Sequence, residues 1–110
     1  MISKALIAAS SKPIILAILS SSENYGYQII QKVKSISNGS LEWSDGMLYP
    51  VLHRLEKDGY IISQWKISKE GRHRKYYKLT NMGKEELEAE KRQWISVHAA
   101  LSKLWKPLPA

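Results

Sequence analysis

A cluster of basic residues lies in the second half of the chain, between Lys66 and Lys78. It holds six Lys or Arg residues and one Glu, and the 110 residues together carry a formal net charge of +7. Lys and Arg bind phosphate groups and release condensed counterions whatever the base sequence. The cluster therefore predicts contact with a polyanion, either nucleic acid or an anionic membrane. The alternative is a solvated edge strand on which lysines prevent aggregation.

Residues suited to catalysis or metal binding are sparse. The chain has no Cys, which excludes disulfides, thiol nucleophiles and thiolate metal sites. His53, His73 and His98 lack the i, i+4 spacing that lets two imidazoles share a metal ion. No spacing suggests a nucleophile with its base. We expect no enzymatic activity, no metal and no cofactor.

The apolar pattern before the cluster predicts helices. Residues 2–9 have helical spacing and Pro13 restarts a helix, which indicates a bent first helix. Asn24 is the expected N-cap of a second helix, which Asn38 and Gly39 end. The longest apolar run, residues 14–19, is too short to cross a bilayer, so we expect a soluble, cytoplasmic protein.

A third helix is predicted from Ser44 and Asp45 to Gly59, with Pro50 bending its first turns. Its inward stripe is apolar and its outer face carries groups that can reach base edges or phosphates. The inward residues are Leu48, Leu52 and Leu55, and the outer residues are Ser44, Tyr49, His53 and Arg54. Each outer residue taken singly is typical of an ordinary surface, so only the set is informative.

After Gly59 the pattern changes to period two, which predicts strands over 61–67 and 74–79 joined by a polar turn. Thr80 then caps a last helix from about Asn81 to Trp105, bounded by Pro107. The predicted fold is mainly α with a two-stranded β wing: a winged helix-turn-helix over 1–80 and a long C-terminal helix over 81–110, within one compact unit. In such a fold the third helix can enter a major groove of DNA.

Five segments, in the same order, resemble the PadR-type transcriptional regulators over roughly residues 13–83. They are Tyr25-Gly26-Tyr27-Gln28-Ile29, Gly46-Met47-Leu48-Tyr49-Pro50, Leu52-His53-Arg54-Leu55-Glu56-Lys57-Asp58-Gly59, Gly71-Arg72-His73-Arg74-Lys75-Tyr76-Tyr77 and Leu79-Thr80-Asn81-Met82-Gly83. The family commonly has a proline after this tyrosine, which accounts for Pro50. Met47 departs from the family, which usually has a small polar residue there.

The resemblance implies a homodimeric repressor of a nearby promoter, of the short subfamily with a single C-terminal dimerisation helix. The partners expected are double-stranded DNA and a second copy of the chain. We expect the DNA contacts to come from the second helix, the third helix and the wing. The candidate residues are Tyr27, Ser44, Tyr49, His53, Arg54, Arg72, His73 and Arg74.

The last helix has apolar residues at heptad spacing, which predicts a dimer seam. The seam residues are Leu87, Trp94, Val97, Leu101 and Leu104. Glu90 interrupts the seam. The alternative is a monomer in which this helix folds back on the first helix of the same chain.

Trp94 falls where the short members of the family, which look like multidrug sensors, have a tryptophan lining an apolar cavity in the dimer. A planar aromatic effector could stack between Trp94 and its symmetry mate, and a cationic one would gain cation–π attraction. The alternative is that Trp94 serves only to pack the dimer core.

Two other functions compete with the regulator. A peripheral membrane-binding module would need its basic and apolar faces on one amphipathic helix, whereas here the basic cluster is on a hairpin. A winged helix that binds proteins and has lost DNA binding is the second alternative. The basic residues Arg72 and Arg74 beside His73 argue against it.

Overall fold

The computed structural model describes residues 1–105. It contains four α-helices and three strands: α1 (Lys4–Ser21), β1 (Asn24–Tyr25), α2 (Gly26–Ile36), α3 (Asp45–Lys57), β2 (Ile61–Ile67), β3 (His73–Leu79) and α4 (Asn81–Leu104). The predicted order of three helices, hairpin and long last helix is confirmed. Pro107 and the end of the predicted 81–110 segment lie outside the described residues.

The first helix is continuous. Ser3 caps α1, its hydroxyl accepting a hydrogen bond from the Leu6 amide, and Pro13 lies inside the helix without ending it. The expectation that Pro13 restarts a helix is therefore wrong. Proline removes a single amide donor, and the buried side chains that follow, Ile15, Leu16, Ile18 and Leu19, hold the second half of α1 in the core.

The sheet has three antiparallel strands in the order β1-β3-β2, rather than only the two predicted for the wing. Asn24 pairs with Tyr77 and Tyr25 pairs with Tyr76. Asn24 is therefore not the N-cap of α2; that position belongs to Tyr25, which makes no side-chain cap hydrogen bond. This two-residue segment pairs with β3 and does not supply the expected asparagine cap.

The other helix boundaries predicted from caps and glycines agree with the structure. Ser44 caps α3 and Thr80 caps α4, each hydroxyl accepting from the amide three residues ahead. Asn38 and Gly39 have positive φ angles of 52° and 82° just after α2, as a left-handed helix end requires. Pro50 lies inside α3, whose helical hydrogen bonding continues to Lys57.

The core lies between α1, the inner sides of α2 and α3, and the base of the hairpin. Its largest fully buried side chains are Ile15, Leu16, Ile29, Val33, Leu48, Leu52 and Ile61. The predicted inward stripe Leu48, Leu52 and Leu55 of α3 is buried in this cluster. By length and composition α1 could also cross a membrane, but its C-terminal half is part of this core.

The first half of α4 packs against its own chain. Leu87 is 5% exposed and belongs to the core cluster. Lys12 of α1 forms an ion pair with Glu86 and lies 3.8 Å from the Glu90 carboxylate. Burial alone would lower the pKa of Lys12, but the hydrogen bond and charge of Glu86 raise it overall. These contacts join α1 and α4 within one protomer.

Candidate nucleic-acid interface

The hairpin has an inner and an outer face, fixed by its register. Ile61 pairs with Leu79, Ser63 with Tyr77, Trp65 with Lys75 and Ile67 with His73. Because side chains alternate along a strand, these residues share one face, and Ile61, Tyr77 and Leu79 bury it in the core at the base of the hairpin. The inner face therefore runs from the core to the exposed tip, on the side of α3.

The hairpin is fixed to α3 and to the segment before β1. The Ser63 hydroxyl donates to the Glu56 carboxylate of α3 at 2.6 Å. On the outer face Lys66 forms an ion pair with Glu23 and lies 5.7 Å from the centre of the Tyr76 ring. These contacts set the direction in which the basic strands leave the core.

The turn at the tip is organised by Ser68, which is buried. The Ser68 amide donates to the Arg72 carbonyl at 2.7 Å, and its hydroxyl accepts from the Arg72 amide at 3.2 Å. Gly71 completes the turn with a φ angle of +80°. Arg72 thus projects from an ordered turn, and both Arg72 and His73 are exposed, as DNA contact requires.

Arg74 occupies a different environment from Arg72. Its guanidinium carbon lies 4.3 Å from the centre of the buried Tyr25 ring, and Tyr25 itself meets Tyr76 edge to face. Arg74 is half-buried, and its Nε has no hydrogen-bond partner within residues 1–105. The β1 strand, which the sequence did not reveal, therefore positions this predicted DNA-binding side chain.

A cleft of about 410 Å³ lies between the N-terminal end of α2, α3 and the wing. It brings together three of the predicted DNA-binding residues, Tyr49, His73 and Arg74. Its remaining lining residues are Tyr25, Gly26, Trp65, Lys75 and Tyr77. The side chains of Trp65 and Lys75 were not among the predicted site residues, although the same period-two alternation that indicated the hairpin places both on the inner face.

The Tyr49 side chain is held over the backbone of Gly26. A Cβ atom at Gly26 would overlap the Tyr49 phenol, so the close approach requires glycine. Burial raises the pKa of the neighbouring Tyr77 to about 12, with smaller effects from Tyr49 and from the Glu56 carboxylate. Tyr77 is therefore uncharged at neutral pH, and the charges lining the cleft are those of the basic side chains.

The predicted residues of α3 divide between two sides of the helix. Tyr49 and His53 lie about 40° apart around the axis, whereas Arg54 lies about 140° from Tyr49. All three are exposed. Tyr27, on the first turn of α2, is 57% exposed. Tyr49 and His53 thus form one outward surface of α3.

Arg54 and Ser44 line a second recess, a groove of about 790 Å³ between α1 and α3. The Ser44 hydroxyl is already used to cap α3. Trp43 also lines the groove; it is buried, and its Nε1 has no hydrogen-bond partner within the part of the chain that the structure describes. Arg54 therefore faces away from the cleft that Tyr49 shares with the wing.

The predicted dimer residues also divide. Leu87 and Glu90 face their own chain, so Leu87 is corrected from a seam residue to a residue of the protomer core. Beyond them, Trp94 and Leu101 are half-buried, while Val97 and Leu104 are exposed. Trp94 lines a shallow recess of about 250 Å³ with Gln93 and Val97. Among residues 1–105 no cluster of His, Cys, Asp and Glu is arranged to hold a metal ion.

Comparison with known proteins agrees with this architecture. The family profile described as "Transcriptional regulator PadR-like family" matches residues 15–89, which span all of the helix-turn-helix and the wing. The chain belongs to the PadR-like family of transcriptional regulators. The family resemblance inferred from the five sequence segments is thereby confirmed, and the family is one of regulators rather than of enzymes.

Solved structures of the family superpose over nearly the whole chain. A PadR-like transcriptional regulator from Bacillus cereus is 31% identical, with a TM-score of 0.83, and the match covers 96% of this chain and 100% of that one. A transcriptional regulator from Clostridium thermocellum is 27% identical, with a TM-score of 0.85 and the same coverage. The winged helix with its long C-terminal helix is therefore the fold of the family.

A curated relative is similar over a shorter stretch. Transcriptional regulator Rv3488 of Mycobacterium tuberculosis is 37% identical over 59 residues, which are 54% of this chain and 54% of that protein. The chain thus matches about half the length of this relative.

Proposed function

We propose that the protein is a cytoplasmic, homodimeric repressor that binds a specific DNA duplex. The observation that carries the proposal is the cleft that Tyr49 of α3 lines together with His73 and Arg74 of the wing. A helix seated in the major groove would present Tyr49 and His53 to base edges, and the basic hairpin beside it would meet the phosphates of the same duplex.

The electrostatics favour a nucleic acid over other polyanions. Between Lys66 and Lys78 the positive charge is divided between the two faces of the hairpin and its turn. An amphipathic membrane helix would instead combine its cations with one continuous apolar face. In α4 acidic and basic residues are mixed, and its first half packs on α1. The basic helix α2 is amphipathic, but its apolar residues Ile29 and Val33 are fully buried in the core and are not available to a membrane.

The second half of α4 supports a dimer. The chain leaves Ile95, Val97, Leu104 and Trp105 exposed. Such a concentration of apolar residues on one end of a helix is typical of a surface that a second copy covers. The proposed seam consists of Trp94, Val97, Leu101 and Leu104, which retain heptad spacing without Leu87. We call α3 the recognition helix. Paired α4 helices would place the two recognition helices of the dimer on one face of a two-fold operator.

The effector proposal rests on Trp94. Its recess in one chain is open and shallow, so a planar aromatic molecule would be enclosed only when the second copy supplies the opposite wall. Release from DNA requires that the ligand bind the DNA-competent and the DNA-incompetent dimer with different affinity. Because α4 starts directly at the end of β3, a change in the angle between paired helices would move the wings and recognition helices.

The decisive experiment is footprinting on DNA upstream of the protein's own coding region, with gel shifts against random duplex at physiological salt. We expect protection of two half-sites about one helical turn apart. Equal affinity for the upstream region and random DNA would overturn sequence-specific binding. Titration of the complex with planar dyes, using wild-type protein and Trp94→Ala, tests the effector. Dye binding without loss of operator affinity would overturn the proposed release.

A further inference from the structure

Two large apolar side chains lie exposed on the inner face of the wing tip. Trp65 is 65% exposed and Ile67 is 67% exposed, whereas Ile61 on the same face is fully buried at the base of the strand. The core cluster includes neither Trp65 nor Ile67. Packing within the protomer therefore does not explain why β2 ends in two bulky apolar residues at a solvent-facing surface.

The surroundings of this apolar pair are cationic. Trp65 pairs with Lys75 and Ile67 pairs with His73 across the hairpin, so each apolar side chain lies beside a basic or ionisable one. The turn adds the exposed side chains of Lys69 and Arg72 against the single carboxylate of Glu70. An apolar patch inside a positive field is complementary to a surface that combines apolar groups with negative charge.

The position of Trp65 relates it to the recognition helix. Trp65 and Tyr49 line the same cleft, and the contact from Ser63 to Glu56 fixes the intervening strand to α3. A duplex lying along the outward surface of α3 would therefore meet the inner face of the wing. The outer-face residue Ile62 would lie on the far side of the hairpin from it.

We propose that Trp65, with Ile67, packs against the deoxyribose surface of the operator beside the groove that α3 enters. This inference rests on the proposed DNA-binding function and adds an apolar contact to it. Sugars provide apolar surface bordered by phosphates, which Lys75 and Arg72 would reach. Apolar side chains are used in other DNA complexes, where they wedge between base steps of the minor groove. A protein partner would be expected to cover a patch with fewer flanking cations.

Substitutions on the two faces of one strand test the proposal. We expect Trp65→Ala to weaken operator binding about tenfold, because the indole surface is no longer removed from water. Trp65→Phe should stay within about threefold of wild type, since most of the apolar surface remains. Ile62→Ala is the matched control, because Ile62 is a 46% exposed residue of β2 on the outer face, and it should leave affinity unchanged.

The salt dependence separates this contact from phosphate binding. Trp65→Ala should lower affinity without changing the slope of log K against log salt, whereas Lys75→Ala should reduce that slope by about 1. Thermal unfolding of each variant shows whether folding is intact. Equal affinity of Trp65→Ala and wild type would overturn the inference and leave the proposed function standing. A wild-type protein that fails to select any duplex would overturn both.

Tryptophan fluorescence gives a second readout. Operator binding should change the emission of the wild type, and Trp65→Phe should remove most of that change while retaining binding. Trp43, Trp94 and Trp105 remain in the variant as internal controls. An undiminished change in Trp65→Phe would place the responding indole elsewhere and overturn the contact.

Discussion

Gly83 of α4 lies directly against the carbonyl oxygen of Tyr60, so close that a Cβ atom at Gly83 would overlap it. The same carbonyl accepts a hydrogen bond from the Thr80 amide at 3.1 Å, and the Thr80 hydroxyl donates to the Gly59 carbonyl at 2.6 Å. The first turn of α4 is therefore fixed to the backbone that joins α3 to β2. Recognition helix, wing and α4 meet at this point.

We expect Gly83→Ala to lower the free energy of unfolding by about 2–4 kcal/mol, because backbone atoms must move to admit the methyl group. Urea denaturation measures the loss. Gly46→Ala is the matched control, since Gly46 also lies in the first turn of a helix and its Cβ would meet only the Ser44 hydroxyl at 3.9 Å. That variant should be unchanged or slightly more stable. Equal stability of the two variants would contradict the close approach.

Gly26→Ala should impair DNA binding by displacing the Tyr49 ring. We expect operator affinity to fall about tenfold and stability to fall by about 1 kcal/mol, because the added Cβ would occupy the space of the phenol. A double-mutant cycle with Tyr49→Ala, measured by gel shift and urea denaturation, isolates the coupling. Additive effects on stability would show that the two residues do not meet.

Alkaline pH should weaken the fold through Tyr77. Its pKa rises from 10.0 to about 12 in the folded state, mainly because of burial, so the folded protein holds this proton more tightly than the unfolded chain. The free energy of unfolding should fall by about 1–2 kcal/mol as pH rises from 10 to 12. The raised pKa of Lys12 acts in the same direction. Comparison with Tyr77→Phe in urea denaturation isolates the tyrosine, and parallel pH profiles would contradict its role.

Arg72→Ala and Arg74→Ala should behave differently. Arg72 projects from the turn, so its loss should reduce the salt slope by about 1 and leave thermal stability unchanged. Arg74→Ala should also destabilise the fold by about 1 kcal/mol, because it removes the cation that stacks on Tyr25. Gel shifts at several salt concentrations and thermal unfolding measure the two effects. An unchanged salt slope in Arg72→Ala would exclude the turn from phosphate contact.

Leu101→Glu should convert the proposed dimer to a monomer, because an ion buried in the α4 seam has no partner there. Analytical ultracentrifugation measures the change in mass. Ser96→Glu introduces the same charge on an exposed residue outside the seam positions and should leave the dimer intact. A persistent dimer in Leu101→Glu would place the interface elsewhere.

The sequence predicted the helices and the hairpin well because their signals are local. Serine and threonine caps, positive-φ residues and the spacing of Leu48, Leu52 and Leu55 each depend on near neighbours. The third strand could not be predicted in this way. Asn24 and Tyr25 are extended because they pair with β3 about fifty residues later, and a two-residue strand has no periodicity of its own.

Parts of the candidate interface required the tertiary structure. Sequence spacing placed Leu87 in a dimer seam, but heptad periodicity does not distinguish a partner helix from α1 of the same chain. Charge alone grouped Arg72 with Arg74, whereas their environments depend on a turn and on Tyr25. The sequence alone does not single out Trp65, because no local pattern shows where burial ends along a strand.

The base of the hairpin is buried in the core, whereas its tip contributes no residue to the core. Natural selection therefore acts on the base through stability and on the tip through binding. Changes at Ile61 or Leu79 would be selected against because they unfold the protein, whereas changes at the exposed residues Trp65, Ile67 and Arg72 would be selected mainly through their effect on what the tip binds. Operator preference could therefore diverge among descendants without compensating changes elsewhere. For the same reason the tip is a segment that a designer could exchange between relatives while keeping the remainder of the chain.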